Sequence, residues 1–156
     1  MRNATRSPML ALGLIIALAG TALATPSSGF APTILARGTL AGPVQFNTGA
    51  IKFQTKEPVD FVTATVTIAP QGSSGWHSHP GVVLVSVLSG SLVVYDETCA
   101  ATVQDAHSAF VESGDGAGLV RNESTTTPAV VYVTYLVPAG TTALRVDQAN
   151  PGCSQS

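Results

Sequence analysis

The chain has 156 residues, of which 7 are Lys or Arg and 9 are Asp or Glu, giving a formal charge of −2; 45% are hydrophobic and 10% charged. That length suits one domain with a single sizeable core. No basic cluster follows a phosphate backbone and no lysine-rich amphipathic stretch suits an anionic membrane surface, so nucleic acid and lipid headgroups are not expected partners.

Arg2 and Arg6 precede an apolar run from Met9 to about Ala19, and Thr21-Ala22-Leu23-Ala24 follows. This is the order of a secretory signal over residues 1–24, with the cut expected after Ala24. A membrane helix fits less well, because the run falls short of the roughly 20 residues a bilayer needs and Pro26-Ser27-Ser28-Gly29 follows it. Cleavage removes Arg2 and Arg6, so the basic count falls from 7 to 5 against 9 acidic residues, a balance of −4. The expected product is a secreted or periplasmic protein with no membrane attachment.

Thr25 to Pro32 reads as a flexible leader and Thr33 to Leu40 as a first strand, followed by one or two short strands in 44–54. Residues 25–54 thus form an N-terminal arm with the first strands, 55–147 the barrel and 148–156 a tail. From Asp60 to Ala69, Val62, Ala64, Val66 and Ile68 alternate with Phe61, Thr63, Thr65 and Thr67, the period of a strand with one apolar face. Pro70 to Gly75 is a turn. Val82 to Leu88 and Ser91 to Tyr95 flank Ser89-Gly90, which predicts a two-residue hairpin. Strands are predicted at 102–104, 109–112, 119–122, 129–137 and 143–146. The continuous apolar run Ala129 to Val133 suggests burial on both faces. Short strands about ten residues apart, joined by Gly and Pro turns, predict an all-β sandwich or barrel.

Two of the three histidines, His77 and His79, stand two apart between Gly75 and Pro80-Gly81. In an extended segment side chains two apart share a face, so both imidazoles meet one cavity. His107 opens the 109–112 strand at its far end, about 15 Å from Gly118 at 3.3 Å per residue, and reads as an exposed turn histidine. Tyr95, Tyr132 and Tyr135 read as strand aromatics and Trp76 as wall. The only cysteines, Cys99 and Cys153, lie in the exported part, and an internal disulfide between them would stabilise the fold by about 4 kcal/mol in the chain-entropy model. Two thiols or pairing between chains are the alternatives. Asn122-Glu123-Ser124 matches a glycosylation sequon.

With Gly72, His77, His79 and Gly90 in this order, the chain resembles the cupin family of small β-barrels. The resemblance runs from about Thr55 to Gly140 and implies an all-β, single-domain, jelly-roll barrel. Its first motif, G-x5-H-x-H-x(3,4)-E-x6-G, is met at His77, His79 and Gly90, with Gly72 one residue closer than the pattern asks. Its second motif maps weakly onto His107 to Asn122. The family's glutamate position falls at Val83 or Leu84 and its third histidine at Gly118, so of four usual ligands only His77 and His79 carry over. Asn122 also fits the family pattern. Glu112 and Asp115 are the acidic residues near the vacant place, although strand alternation could turn Glu112 from the lumen.

The resemblance implies a divalent ion, Fe, Mn, Ni or Zn, held by His77 and His79 with an incomplete shell, and allows an oxygenase, isomerase or lyase. The alternatives are a metal-free barrel that binds a small molecule, or a structural barrel without catalysis. Pairing of two copies through sheet edges is also implied.

Overall fold

A computed structural model describes residues 24–114 and 116–155. Residues 1–23 of the expected signal segment, and Asp115, lie outside the described residues. Among the described residues every regular element is a strand: β1 (Ser28–Leu40), β2 (Gln45–Asn47), β3 (Lys52–Gln54), β4 (Val59–Ser73), β5 (His77–Ser78), β6 (Val82–Ser89), β7 (Ser91–Tyr95), β8 (Ala101–Asp105), β9 (Ala109–Ser113), β10 (Leu119–Arg121), β11 (Ala129–Pro138) and β12 (Val146–Asp147).

The main sheet runs β8-β7-β10-β4-β11-β6-β9, with β1 also paired to β4. Period-2 patterning fills its interior: Val62, Ala64, Val66 and Ile68 of β4 pack with Val83, Val85 and Val87 of β6 and Ala129, Val131, Val133, Tyr135 and Val137 of β11. Each buried Val or Ile side chain contributes about 1.5–3 kcal/mol relative to exposure. The fold is the expected all-β, cupin-like jelly-roll barrel.

Four local expectations change. Residues 28–32 are not leader but the start of β1, because β4 reaches Ser73 and offers a ladder edge as far as Ser28. The Pro70–Gly75 turn is shorter than predicted for the same reason, since β4 continues through Pro70 to Ser73. Ala129 to Val133 is buried on one face only, with Tyr132 46% exposed. Ser89-Gly90 closes no hairpin: β6 is flanked by β11 and β9, whereas β7 is flanked by β10 and β8. The step is a corner where the chain passes between these groups of strands. Gly90 has φ +79° there, and a Cβ would lie 2.8 Å from the Ala129 Cα and from the Pro128 carbonyl oxygen, so only glycine fits.

The predicted tail is a strap. β12 pairs with β5, matching Val146 with Ser78 and Asp147 with His77. Beyond it, the Gln148 N–H donates to the Trp76 carbonyl (2.9 Å) and the Thr25 N–H to the Gln148 carbonyl (3.2 Å). Trp76, fully buried against Tyr95, Leu119 and Cys153, donates its indole N–H to the Gln155 carbonyl at 3.1 Å. Cys99 and Cys153 are joined in the expected disulfide, with Cα atoms 5.5 Å apart. Asn122 is fully buried, donating to the Ile68 and Thr127 carbonyls and accepting from the Ser124 N–H. It acts as a structural pin and is closed to a glycan in the folded chain.

Candidate metal centre

β5 is too short to position two histidines alone, and backbone bonds on both edges hold it. On one side His77 and Gly118 exchange both backbone hydrogen bonds, at 2.9 and 2.8 Å. On the other lies β12. Gly75 makes the entry possible: it sits at φ +68°, and a Cβ there would come within 2.2 Å of the Thr25 carbonyl oxygen. The chain therefore arrives at His77 in a fixed direction.

As the i, i+2 spacing predicts, the two rings share a cavity. Their centroids are 4.8 Å apart at an interplanar angle of 87°, and the residues are 5% and 7% exposed. Each Nδ1 bonds a backbone carbonyl, His77 to Gly75 at 2.9 Å and His79 to Leu144 at 2.7 Å. A carbonyl oxygen only accepts, so Nδ1 carries the proton in both rings and a neutral ring presents an Nε2 lone pair. Burial pushes the His77 imidazole below its usual pKa, opposed mainly by the Glu112 carboxylate.

Glu112 supplies the carboxylate the sequence left unplaced. In β9 it shares a face with half-buried Phe110 and points inward, and one of its oxygens lies 3.5 Å from His79 Nε2. The ligand atoms of His77, His79 and Glu112 all fall within 4.8 Å of one another. Register explains the placement. Glu112 is paired directly with Val83, where the family's glutamate would stand, and Val83 with Tyr135. The carboxylate has moved sideways by one strand at the same level of the barrel. The separation to His79 is long for a hydrogen bond, but matches two donors each about 2.1 Å from a shared ion. His79 Nε2 is buried without a hydrogen-bond partner. An orphaned lone pair facing an anion is what a cation site requires, so the residues fit a divalent ion.

Tyr135 closes the inner side, its ring centroid 5.7 Å from that of His79. Burial, then Glu112, raises the phenol pKa and keeps it protonated. The sequence expectation for Tyr135 is an ordinary strand aromatic; its parity with Val131, Val133 and Val137 is the signal that it faces inward. Gly118, the family's third histidine position, brings no side chain. His107 is exposed in a left-handed turn at φ +72° and plays no part in the cluster.

Two cavities meet at the triad. The inner one, about 30 Å³, is lined by Phe30, Ile68, Phe110, Val133 and other apolar side chains, and holds no more than a water-sized guest. The outer mouth, about 310 Å³, opens beside His77, His79 and Glu112 between residues 94–98 on one side and 111–114 with 116–118 on the other.

The family model described as "Cupin domain" matches residues 64–135. No curated protein matches the chain. Among solved structures, oxalate oxidase in complex with glycolate is similar at 23% identity and TM-score 0.43, over 47% of this chain and 40% of that one. An uncharacterised protein with a double-stranded β-helix domain from Klebsiella pneumoniae is similar at 17% identity and TM-score 0.47, over 54% of this chain and 69% of that one. A DMSP lyase structure is similar at 17% identity and TM-score 0.48, over 56% and 44%. The chain thus spans less than half the length of the oxalate oxidase it resembles. The all-β barrel around an inward histidine pair agrees with the match of residues 64–135 to the cupin-domain model.

Proposed function

We propose that this protein works outside the cytoplasm, with His77, His79 and Glu112 holding one divalent ion that acts on a small molecule entering by the outer mouth. One observation carries the reading: both Nδ1 atoms are tied to carbonyls, which leaves the Nε2 lone pairs for a ligand, that of His79 faces the Glu112 carboxylate at 3.5 Å, and the three residues' ligand atoms lie within 4.8 Å of one another. Without a cation among them these groups repel. Two imidazoles and a carboxylate suit Zn, Fe, Mn or Ni, and two-histidine, one-carboxylate sets with open positions serve non-haem iron oxygenases.

A bound ion would supply Lewis-acid polarisation of a substrate or water oxygen. The chain's own residues do the rest. The Gly75 and Leu144 carbonyls fix the ring orientations, and Glu112 offsets the ion's charge. Tyr135 offers a phenol O–H beside the centre, and the apolar inner cavity keeps bulk water from its back. The inner cavity is too small for an organic substrate, which therefore approaches from the mouth. The N-terminal charged, apolar and small-residue order and the Cys99–Cys153 disulfide support an exported site.

Elemental analysis of untagged protein, with calorimetric titration of the metal-free form, tests this. Uptake of one ion per chain, lost in His77→Ala and His79→Ala, is expected. Absence of binding by Fe, Mn, Ni and Zn at high micromolar concentration would sink it.

A further inference from the structure

The mouth above the triad carries charge of one sign. Asp96, Glu97 and Glu112 line it, and among the described residues no Lys or Arg does. Asp96 and Glu97 sit on a built loop. The Asp96 Oδ1 accepts from the Thr98 N–H (2.8 Å), the Thr98 hydroxyl (2.6 Å) and the Ala100 N–H (3.1 Å). Backbone bonds between Asp96 and Ala100 and between Cys99 and Asp96 close the turn, and the disulfide ties it to the strap. These donors hold the Asp96 carboxyl below its usual range and so ionised, led by the Thr98 hydroxyl. Independently, His79 borders the same mouth with an unpartnered Nε2 on a side chain 6% exposed. The acidic walls therefore surround a built binding point.

We propose that this mouth selects a small organic cation, one end of which offers a donor atom to the ion while its positive group faces Asp96 and Glu97. The inference rests on the metal-centre reading above. A divalent ion on Glu112 leaves the centre at +1, and Asp96 and Glu97 bring the described lining of the mouth to −1. Walls of one sign raise the local concentration of a cation and turn anions away. Held by its turn, the Asp96 carboxylate needs little reorganisation to receive it. A volume of about 310 Å³ accommodates a molecule of this kind.

The test uses metal-loaded, full-length mature protein and three probes sharing a pyridine nitrogen: 3-(aminomethyl)pyridine, 3-(hydroxymethyl)pyridine and pyridine-3-sulfonate. Metal content is measured first, then each probe is titrated calorimetrically at low and high salt. The amine should bind about 10-fold tighter than the sulfonate at low salt, with the alcohol between, and the spread should shrink as salt rises. Asp96→Asn with Glu97→Gln should collapse the order at unchanged metal content; asparagine keeps the Oδ1 acceptor, so the turn is retained, and Glu97→Gln alone should give part of the effect. Sulfonate binding as tightly as the amine, or an order that survives the double substitution, overturns the inference and leaves the metal centre standing. Failure to load metal overturns the centre itself, and the inference with it.

Discussion

Asp60 and Glu112 are both carboxylates held in the barrel, and their surroundings are opposite. Asp60, on a side chain 5% exposed, accepts from the Thr39 hydroxyl at 2.7 Å and the Gly140 N–H at 3.0 Å, and faces the Arg37 guanidinium at 3.4 Å. Glu112, 17% exposed, faces His79 Nε2 at 3.5 Å, a nitrogen whose ring proton is committed elsewhere. Donors that meet a carboxylate make it structural, whereas lone pairs that meet it leave room for a cation.

Separating the two roles should give the largest effect. Glu112→Gln is expected to lower metal affinity about 1,000-fold, beyond the roughly 10- to 100-fold typical of outer-shell partners, with the metal-free melting temperature almost unchanged. Asp60→Asn should do the reverse. Calorimetric metal titration and thermal melts of both variants check this, and equal affinities would remove Glu112 from the ligand set.

The next effect concerns what aims the histidines. The Leu144 carbonyl and β12 belong to a strap whose far end is the Cys99–Cys153 bond. Opening that bond with Cys99→Ser and Cys153→Ser should cost up to about 4 kcal/mol of stability and about 10-fold in metal affinity, because the strap holds the His79 ring. A variant that loses stability but binds the ion as before would show that the rings are aimed without it.

A third experiment returns the carboxylate to the adjacent strand. Val83 and Glu112 are directly paired, and opposed residues place their Cβ atoms about 4.5–5.5 Å apart. Glu112→Val combined with Val83→Glu should bind the ion within about 10-fold of the parent, since the level in the barrel is kept. Its metal-free form should melt lower, because Val83 is fully buried and a carboxylate there is desolvated. Affinity no better than that of Glu112→Gln would show that lateral position matters more than level.

What the sequence could say follows from the range of each interaction. The β4 alternation and the shared face of His77 and His79 are local, written in period 2, and both stand in the structure. The sequence places Glu112 near the right rim but does not aim it, because the facing of a five-residue strand depends on its register with β6, and register is set by contacts distant in sequence. The mistaken hairpin at Ser89-Gly90 has the same origin. A glycine corner and a hairpin share turn chemistry, and only the partners of β6 and β7 distinguish them. The strap looks like a tail in the sequence because Gln148 to Gln155 lacks strand periodicity and is held by backbone bonds and the disulfide.

The smallest expected effect returns to Asp60 and is read through pH. The Thr39 hydroxyl first, then the Gly140 N–H and the Arg37 charge, hold its carboxyl below the usual carboxylate pKa, against the opposing effect of burial. The folded value lies below the unfolded one of about 3.9, so this contribution to stability is complete above that pH and is lost as pH falls through the folded value. Melting temperatures of the wild type should therefore drop more steeply below pH 4 than those of Asp60→Asn, the two curves converging in acid. Metal affinity at neutral pH should not differ between them, since Asp60 bonds to β1 and the 138–141 turn and not to the histidines. Parallel melting curves would mean that Asp60 is bound equally well in either protonation state, and its contrast with Glu112 would then rest on position alone.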